Sequence, residues 1–295
     1  MLTTALSLYI AALLSFGETY VLQDMEPPLN SQAITINNQV ATIPYKHPEN
    51  IAPVIRATSA IAVDIDSGEI LYEKNARKSY AIASLTKIMT ATIVAEENDL
   101  NQVVTISSKA AATSGSKMWL YGGETIKVQN LLYGLLVHSA NDAAIALAEN
   151  NAGTEAEFVK KMNKKAKELR LYGTHYANPI GFDDPNNYSS VYDLSILGKY
   201  AYNKQFIKHA TSIGNIEVKS ESGGIKHNLE TTNEVLDNFL GFKGLKTGST
   251  EQAGECFFGI AEKDGHKILT IVLNSPNRFG ESKILADWVF RSYTW

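Results

Sequence analysis

The chain has 295 residues, with 27 Lys and Arg against 31 Asp and Glu, so its net charge is −4 when the six His are neutral. Hydrophobic residues make up 44% of the chain and charged residues 20%, which excludes disordered, collagen-like and coiled-coil proteins. The mild negative charge argues against a nucleic-acid partner, which needs a strongly basic face. Since Cys256 is the one cysteine, no internal disulfide can form and a disulfide-framework module is excluded.

The N-terminal residues have the pattern of a secretory signal peptide. Residues 5–16 are an apolar stretch of 12, and Ser15 and Gly17 supply small residues before a cleavage point. The preceding residues contain no Lys or Arg, which departs from the usual pattern and leaves a buried N-terminal helix or a truncated start as alternatives. We predict a signal peptide over residues 1–17. Because a membrane span needs roughly 20 apolar residues, we expect at most a peripheral association with a membrane.

The segment that follows, residues 18–56, is predicted to be a poorly structured lead-in, because it holds five of the eight prolines and proline cannot donate to a helix or a central strand. Beyond it, residues 59–66 and 69–75 alternate in polarity around Ser67 and Gly68. This pattern predicts a β-hairpin.

A helical block comes next in the chain. Apolar residues at helical spacing predict helices over residues 84–98, 128–137, 142–150, a stretch from Thr154, and 191–202. Capping boxes open the last two, Thr154 with Glu157 and Ser190 with Asp193. The helix from Thr154 carries a run of lysines, which we interpret as the solvated side of an amphipathic helix rather than as a site for an anionic polymer.

The last third of the chain returns to strands. Residues 244–249, 254–262 and 266–275 are predicted strands, the last two joined by a tight turn at Asp264 and Gly265. A closing helix over residues 280–293 is expected to bury Ile284, Leu285, Trp288 and Val289. Strands, then helices, then strands and a helix indicate an α+β fold, an antiparallel sheet flanked by helices with an inserted helical subdomain.

The first motif that carries chemistry is Ser84-Leu-Thr-Lys87, at the start of an apolar helix. The spacing of three residues places the hydroxyl and the ammonium group on one helix face. A serine needs a nearby base to become a nucleophile, and a lysine can serve when burial or a second cation lowers its pKa. The same pattern recurs at Ser114 and Lys117, in a Gly- and Ser-containing stretch without helical periodicity, and we interpret that copy as a chance match.

Two later triplets strengthen the first motif. Ser139-Ala-Asn141 lies between two apolar helices, and Lys246-Thr-Gly248 lies on a predicted strand whose glycine lets backbone approach a ligand. Either triplet by itself is found at ordinary surface positions more often than at a catalytic site. In this order, after a Ser-x-x-Lys that opens a helix, they indicate serine acyl chemistry.

With these motifs the chain resembles the low-molecular-mass penicillin-binding proteins, the D-alanyl-D-alanine carboxypeptidases of serine peptidase family S11. The resemblance runs from about residue 57 to the C-terminus and includes four longer blocks, AIAVDIDSGEILYEKNARKSYAIASLTKIMTA, GSKMWLYGGETIKVQNLLYGLLVHSANDAAIALAE, NPIGFDDPNNYSSVYDL and GLKTGSTEQAGECFFGIA. It implies a β-lactamase/transpeptidase-like fold and no cofactor. It also implies peptidoglycan stem peptides ending in D-Ala-D-Ala as substrates, β-lactams as covalent inhibitors, and a place in the periplasm or on the outer face of a bacterial cytoplasmic membrane.

The resemblance also implies roles for individual residues. Ser84 would attack the carbonyl of the penultimate D-Ala, and Lys87 would take the Ser84 proton, although the base is disputed across this superfamily. Ser139 would relay a proton to the leaving amine, and Asn141 would hold the substrate amide and Lys87. The resemblance implies substrate-binding roles for Lys246, Thr247, Gly248, Ser249 and Arg278.

Within that set, Lys246 and Thr247 would bind the terminal carboxylate, and the backbone N–H groups of Ser84 and Ser249 would form the oxyanion hole. Arg278 would add a carboxylate contact, against the alternative that an Arg near a helix start is a surface residue. The sequence departs from the family at Ile180, where many members carry a histidine, and we expect this to alter the rim of the site.

Other residues have plainer interpretations. Cys256, among apolar neighbours on a strand, is expected to be a buried inert thiol. The six histidines show no ligand spacing, so no metal is expected. His138 is expected to serve the end of a helix, and Asp183 and Asp184 to shape a turn rather than act as paired catalytic carboxylates.

Three alternatives to a carboxypeptidase remain. A D,D-endopeptidase of the same family would use the same chemistry on peptidoglycan cross-links. A class A β-lactamase would need a Glu-x-x-Leu-Asn-type loop, which is not found between Ser139 and Lys246. A catalytically silent peptidoglycan-binding module is disfavoured by the intact motifs. We expect residues 57–295 to be the catalytic domain, without the C-terminal β-rich domain and amphipathic anchor helix of many relatives, an absence that favours the endopeptidase alternative.

Overall fold

A five-stranded antiparallel sheet lies at the centre of the computed structural model, which describes residues 42–237 and 241–295. The strands, in chain order, are β1 (Tyr45–Lys46), β2 (Ser59–Asp64), β3 (Ile70–Lys74), β4 (Tyr80–Ala81), β5 (Val103–Thr105), β6 (Thr125–Lys127), β7 (Tyr188–Ser189), β8 (Asn215–Lys219), β9 (Lys226–Glu230), β10 (Lys243–Thr250), β11 (Gly254–Lys263), β12 (His266–Ser275) and β13 (Tyr293–Thr294). The helices are α1 (Lys87–Glu97), α2 (Ser108–Ala112), α3 (Val128–Leu136), α4 (Asn141–Ala152), α5 (Glu155–Glu168), α6 (Val191–Tyr202), α7 (Gln205–Ala210) and α8 (Arg278–Ser292).

The order of strands in the central sheet is β10–β11–β12–β2–β3, and every neighbouring pair is antiparallel. Both faces of the sheet are covered. Along β11, Phe257 and Ala261 point into one core while Phe258 and Ile260 point into the other, because successive side chains of a strand face opposite ways. Helix α8 packs on the first face and α6 on the second, and α1 to α7 lie between β3 and β10 in the chain. This arrangement confirms the predicted α+β fold with an inserted helical block.

Local signals placed most elements correctly. Lys263 pairs with His266 across a turn at Asp264 and Gly265, whose φ angles of 51° and 83° suit the predicted two-residue hairpin. The predicted β2–β3 hairpin also forms. The caps of α5 and α6 are present as well, since the side-chain oxygen of Thr154 accepts from the N–H of Glu157 and that of Ser190 from the N–H of Asp193.

One predicted core residue is wrong. Ile284 in helix α8 is 51% exposed, whereas Leu285, Trp288 and Val289 are buried as expected. Residues advance by 100° along a helix, and the buried stripe centres on Leu285 and Val289, so Ile284 lies beyond its edge.

The described part of the lead-in packs onto the sheet. The predicted signal peptide over residues 1–17 and the lead-in up to residue 41 lie outside the described residues. Nearer the domain, β1 pairs with β13, and the buried Glu281 carboxylate accepts hydrogen bonds from the backbone N–H groups of Arg56 and Ala57. The segment over residues 42–56 is therefore tied to the C-terminal helix. Among helices of the described residues, none has the length and apolarity that crossing a bilayer requires.

Gly198 on α6 tests how closely the helical block packs on the sheet. A Cβ there would lie 1.8 Å from Cζ of Phe258, a ring that is fully buried on β11. An Ala normally stabilises a helix by about 1 kcal/mol over Gly, but overpacking a core costs about 1–3 kcal/mol, and this contact is too short to relax easily. We therefore expect Gly198→Ala to lower the free energy of unfolding in urea by roughly 1–2 kcal/mol. Adding Phe258→Leu should recover part of the loss, and a Gly198→Ala protein as stable as the parent would contradict this packing.

Candidate active site

Ser84 and Lys87 meet in a short turn at the start of α1. Ser84 lies in a 3₁₀ turn over Ala83–Thr86, and α1 begins at Lys87, so the serine precedes the α-helix that was predicted to start with it. In a 3₁₀ turn, side chains three residues apart eclipse each other. The turn brings Nζ of Lys87 to 2.9 Å from Oγ of Ser84.

Two glycines let other segments of the backbone come close to this turn. A Cβ on Gly248 of β10 would lie 2.9 Å from the backbone N of Ser84. A Cβ on Gly181, which has a φ of +88°, would lie 1.9 Å from the carbonyl oxygen of Ala83. Real Cβ atoms do not approach so closely, so the site needs glycine at both positions. The β10 backbone therefore runs directly beside the Ser84 amide.

Lys87 is fully buried, and its surroundings favour the neutral amine. Nζ donates a 2.6 Å hydrogen bond to the carbonyl oxygen of Ile180. Burial lowers the pKa of Lys87 well below its ordinary value, and the charge of Lys246 lowers it further, while Asp142 acts in the opposite direction. Because the lowered pKa favours the neutral amine, the amine can accept a proton from the adjacent serine hydroxyl.

Ser139 lies in the short connection between α3 and α4, and Asn141 is the first residue of α4. Ser139 is almost fully buried and has a φ of +60°, a left-handed backbone that the tight connection imposes. The side-chain amide of Asn141 donates to the carbonyl oxygen of Ser114 at 2.8 Å, and its backbone N–H donates to the carbonyl oxygen of Ser116 at 2.7 Å. The loop with the second Ser-x-x-Lys copy is thus not a helix start, and its backbone holds Asn141 in place.

The strand β10 presents the remaining motif. Lys246 is 3% exposed and donates to the carbonyl oxygen of Thr247 at 2.9 Å. Burial, and then the charge of Arg278, lower the pKa of Lys246 to about 7. Arg278 is not a remote surface residue, since its guanidinium donates to the carbonyl oxygen of Gly248 at 3.1 Å. Ser249, next along the strand, is exposed.

Several neighbours of the site were not identified from the sequence. Asp142, the residue after Asn141, is fully buried and its carboxylate accepts three backbone N–H groups, those of Met118, Leu120 and Ala143. The hydroxyl of Thr232 lies 2.6 Å from that of Thr247. The position of Asp142 in the first turn of α4 is a sequence signal that could have identified it as a neighbour of the site. No feature of the sequence near Thr232 indicates that its hydroxyl contacts Thr247.

The position of Ile180 differs from the expectation that this residue alters the rim of the site. Its side chain is 4% exposed, so it does not line the rim, and its carbonyl contacts Lys87 instead. The Asn178 side chain accepts from the N–H groups of Ile180, Gly181 and Phe182, which shapes the loop that delivers this carbonyl.

The residues given plainer interpretations have the following surroundings. Cys256 is buried and burial raises its pKa to about 11. A ring nitrogen of His138 lies 3.1 Å from the carbonyl oxygen of Glu230. Asp183 accepts from the N–H of Gln252, and Asp184 from that of Asn186 in its own turn. Within residues 42–237 and 241–295, no group of three or more His, Cys, Asp or Glu side chains could hold a metal ion.

Known proteins are similar to this chain in sequence and in fold over most of its length. Residues 46–277 match the family model for D-alanyl-D-alanine carboxypeptidases of the peptidase S11 family. The chain is 36% identical over 245 residues to the D-alanyl-D-alanine carboxypeptidase DacF of Bacillus subtilis, and 33% identical over 257 residues to DacC of Escherichia coli. These alignments cover 80% and 82% of this chain, and the chain spans 63% of each relative.

Solved structures agree with the fold. The crystal structure of the Streptomyces K15 DD-transpeptidase superimposes with a TM-score of 0.78 at 29% identity, over 82% of this chain and 99% of that one. Penicillin-binding protein 6B from Escherichia coli gives a TM-score of 0.74 at 31% identity, over 82% and 80% of the two chains. The family match, the shared fold and the cluster around Ser84 agree, and the chain belongs to the D-alanyl-D-alanine carboxypeptidase family of serine peptidases.

Proposed function

We propose that this protein is a serine-type D-Ala-D-Ala carboxypeptidase that removes the terminal D-alanine from peptidoglycan stem peptides and is inhibited by penicillins. The observation that carries the proposal is the contact of 2.9 Å between Oγ of Ser84 and Nζ of Lys87, with the lysine buried and its pKa lowered. A serine beside a neutral amine is an activated nucleophile. The names of the curated relatives supply the reaction class.

In the proposed acylation, Oγ of Ser84 attacks the carbonyl carbon of the penultimate D-Ala while Nζ of Lys87 takes its proton. The carbonyl oxygen becomes an oxyanion that the backbone N–H groups of Ser84 and Ser249 stabilise. The close approach of β10 to the Ser84 amide supports this pairing. Collapse of the intermediate breaks the C–N bond, and Ser139 passes a proton to the departing amine of D-Ala.

The terminal carboxylate of the substrate binds to Lys246, Thr247 and, through its nearby charge, Arg278. Asn141 holds the substrate amide. Gly248 keeps the strand open enough for the substrate to lie against it. Water then attacks the Ser84 ester, which releases the shortened peptide and returns the proton to Ser84. No metal or cofactor takes part in these steps.

We also infer that the protein works outside the cytoplasm, in the periplasm or on the outer face of the cytoplasmic membrane. The signal-like pattern of residues 1–17 supports this location, as does a substrate that belongs to the cell wall. The partners that follow are D-Ala-D-Ala stem peptides and β-lactams, without nucleic acid and with at most peripheral membrane contact.

A fluorescent penicillin tests the acyl-enzyme directly. We expect covalent labelling of the intact protein, visible on a denaturing gel, because the ester to Ser84 survives unfolding. Labelling should disappear in Ser84→Ala and persist in Ser116→Ala, a matched serine that lies in the nearby loop and bonds only to backbone. Folded protein that takes up no label would exclude the proposed function.

The fate of the acyl-enzyme separates the alternatives. Incubation with a stem peptide ending in D-Ala-D-Ala should release D-Ala as the main product, while a cross-linked dimer should be cleaved more slowly. Preferential cleavage of the dimer would identify an endopeptidase. A product joined to an added D-amino acid would identify acyl transfer, the activity in the name of the Streptomyces neighbour.

The pH dependence of acylation tests the role of Lys246. Protonated Lys246 binds a carboxylate, and its pKa is lowered to about 7, so the second-order rate constant for penicillin acylation should fall as the pH rises through about 7. Arg278→Met removes a cation that lowers this pKa, so the alkaline limb should move to higher pH. Because burial is the larger cause, the limb should stay well below the ordinary lysine pKa of about 10.4.

The matched control is Arg291→Met, which removes a second arginine from the same helix. Arg291 is exposed and pairs with Asp287 at 2.7 Å. The pH profile of acylation by Arg291→Met should coincide with that of the parent protein. An alkaline limb that does not move in Arg278→Met would contradict the electrostatic link between Arg278 and Lys246.

A further inference from the structure

Trp119 has a combination of features that packing does not explain. Its side chain is 72% exposed, and its φ of +65° lies in the left-handed region, where a bulky residue is an outlier. Strained residues persist only where the surrounding structure holds them, and they cluster at functional sites.

Buried carboxylates hold the backbone on both sides of Trp119. The Asp142 carboxylate accepts from the N–H groups of Met118 and Leu120, each at 3.1 Å, so the neighbours before and after Trp119 are both fixed. Asp142 is also the residue whose charge opposes the lowering of the Lys87 pKa. The loop that displays Trp119 is therefore tied to the candidate active site by one carboxylate.

A second buried carboxylate secures the same loop. Glu124 accepts from the N–H of Tyr121 at 3.0 Å and lies 2.7 Å from Nε2 of His227. The other ring nitrogen of His227 lies 2.8 Å from the carbonyl oxygen of Met118. The hairpin of β8 and β9 is thus joined to the loop, and the exposed rings of Trp119 and Tyr121 project from a rigid base.

These rings line a groove of about 250 Å³ that reaches His138, the residue before Ser139. Its lining includes the cations Lys117 and Lys226 but no acidic residue. Lys226 pairs with Glu217 at 3.1 Å. Nζ of Lys117 lies 5.8 Å from the Trp119 ring and donates to a backbone carbonyl, that of Ala111.

We infer that this groove binds the acidic part of the stem peptide that precedes D-Ala-D-Ala, with Trp119 and Tyr121 as an apolar platform and Lys117 as the partner of a free carboxylate. The inference rests on the proposed function and adds a specificity site to it. Aromatic rings present a large apolar area, and an exposed apolar patch bordered by polar residues, such as that of Trp119 and Tyr121, is typical of a binding surface. Since Lys226 already pairs with Glu217, Lys117 is the cation that favours an acidic occupant over a neutral sugar.

Three substrates separate this site from the catalytic residues. They are L-Ala-γ-D-Glu-L-Lys-D-Ala-D-Ala, the same peptide with γ-D-Gln in place of γ-D-Glu, and the short diacetyl-L-Lys-D-Ala-D-Ala. We expect Trp119→Ala to raise KM for the acidic pentapeptide about tenfold, with kcat changed by less than about twofold, because uniform binding is lost. KM for the short substrate should stay within about twofold of the parent value.

Two further variants sharpen the test. Trp119→Phe keeps an aromatic ring and should recover most of the affinity. Lys117→Met keeps the length of the side chain and should abolish the preference for the acidic pentapeptide over its amide, which the parent protein should show by about three- to tenfold.

Several outcomes would overturn the inference. Equal losses on all three substrates would assign Trp119 a structural role, and unchanged KM values would remove it from binding. A loss in Trp119→Ala that is the same for the acidic and amidated peptides, with Lys117→Met unaffected, would assign the groove to a neutral part of the substrate such as the glycan. Parent protein that neither takes up penicillin nor cleaves the short substrate would instead reject the proposed function, which these two readouts report without the groove.

Discussion

The burial of the Lys87 amine is the constraint on which the site depends. A lysine that loses its contact with water favours the neutral form, and Lys87 keeps two partners, Oγ of Ser84 and the carbonyl oxygen of Ile180. Three pieces of chain must close around it: the 3₁₀ turn of Ser84, the strand β10 and the loop that carries Ile180. This close packing requires glycine at positions 181 and 248, because any side chain there would collide with the turn.

The architecture explains how such distant pieces meet. The helical block is inserted between β3 and β10, so the chain leaves the sheet before Ser84 and returns to it at Lys246. Strand β10 lies at the edge of the described sheet and faces the start of α1, while the start of α4 supplies Ser139 and Asn141. The candidate site therefore lies between the edge of the sheet and the helical block. Asp142 joins the start of α4 to the Trp119 loop through the backbone N–H groups of Met118 and Leu120.

Much of the fold could be predicted because it rests on short-range signals. The Asp264-Gly265 turn and the caps at Thr154 and Ser190 act through backbone geometry within four residues, and all three lie where they were predicted. The hairpin of β8 and β9 was not predicted from the sequence, although β8 alternates strictly between polar and apolar residues. Its position is set by contacts of His227 with Met118 and Glu124, which are more than 100 residues away in the chain. Ile284 was misassigned because an apolar residue at the edge of a helical stripe looks like one inside it.

The sequence by itself determined the longer helices, the strands at either end of the catalytic domain, the pairing of Ser84 with Lys87 and the set of motifs, because each depends on spacing along the chain. Only the tertiary structure decided that Lys87 and Lys246 are buried near enough to lower the pKa of Lys87, that Arg278 contacts Gly248, and that a carbonyl of Ile180 completes the site. It also decided that Trp119 is held outward by Asp142. These features arise from contacts between residues far apart in the chain, and burial and electrostatic coupling depend on distances in space that residue spacing does not encode.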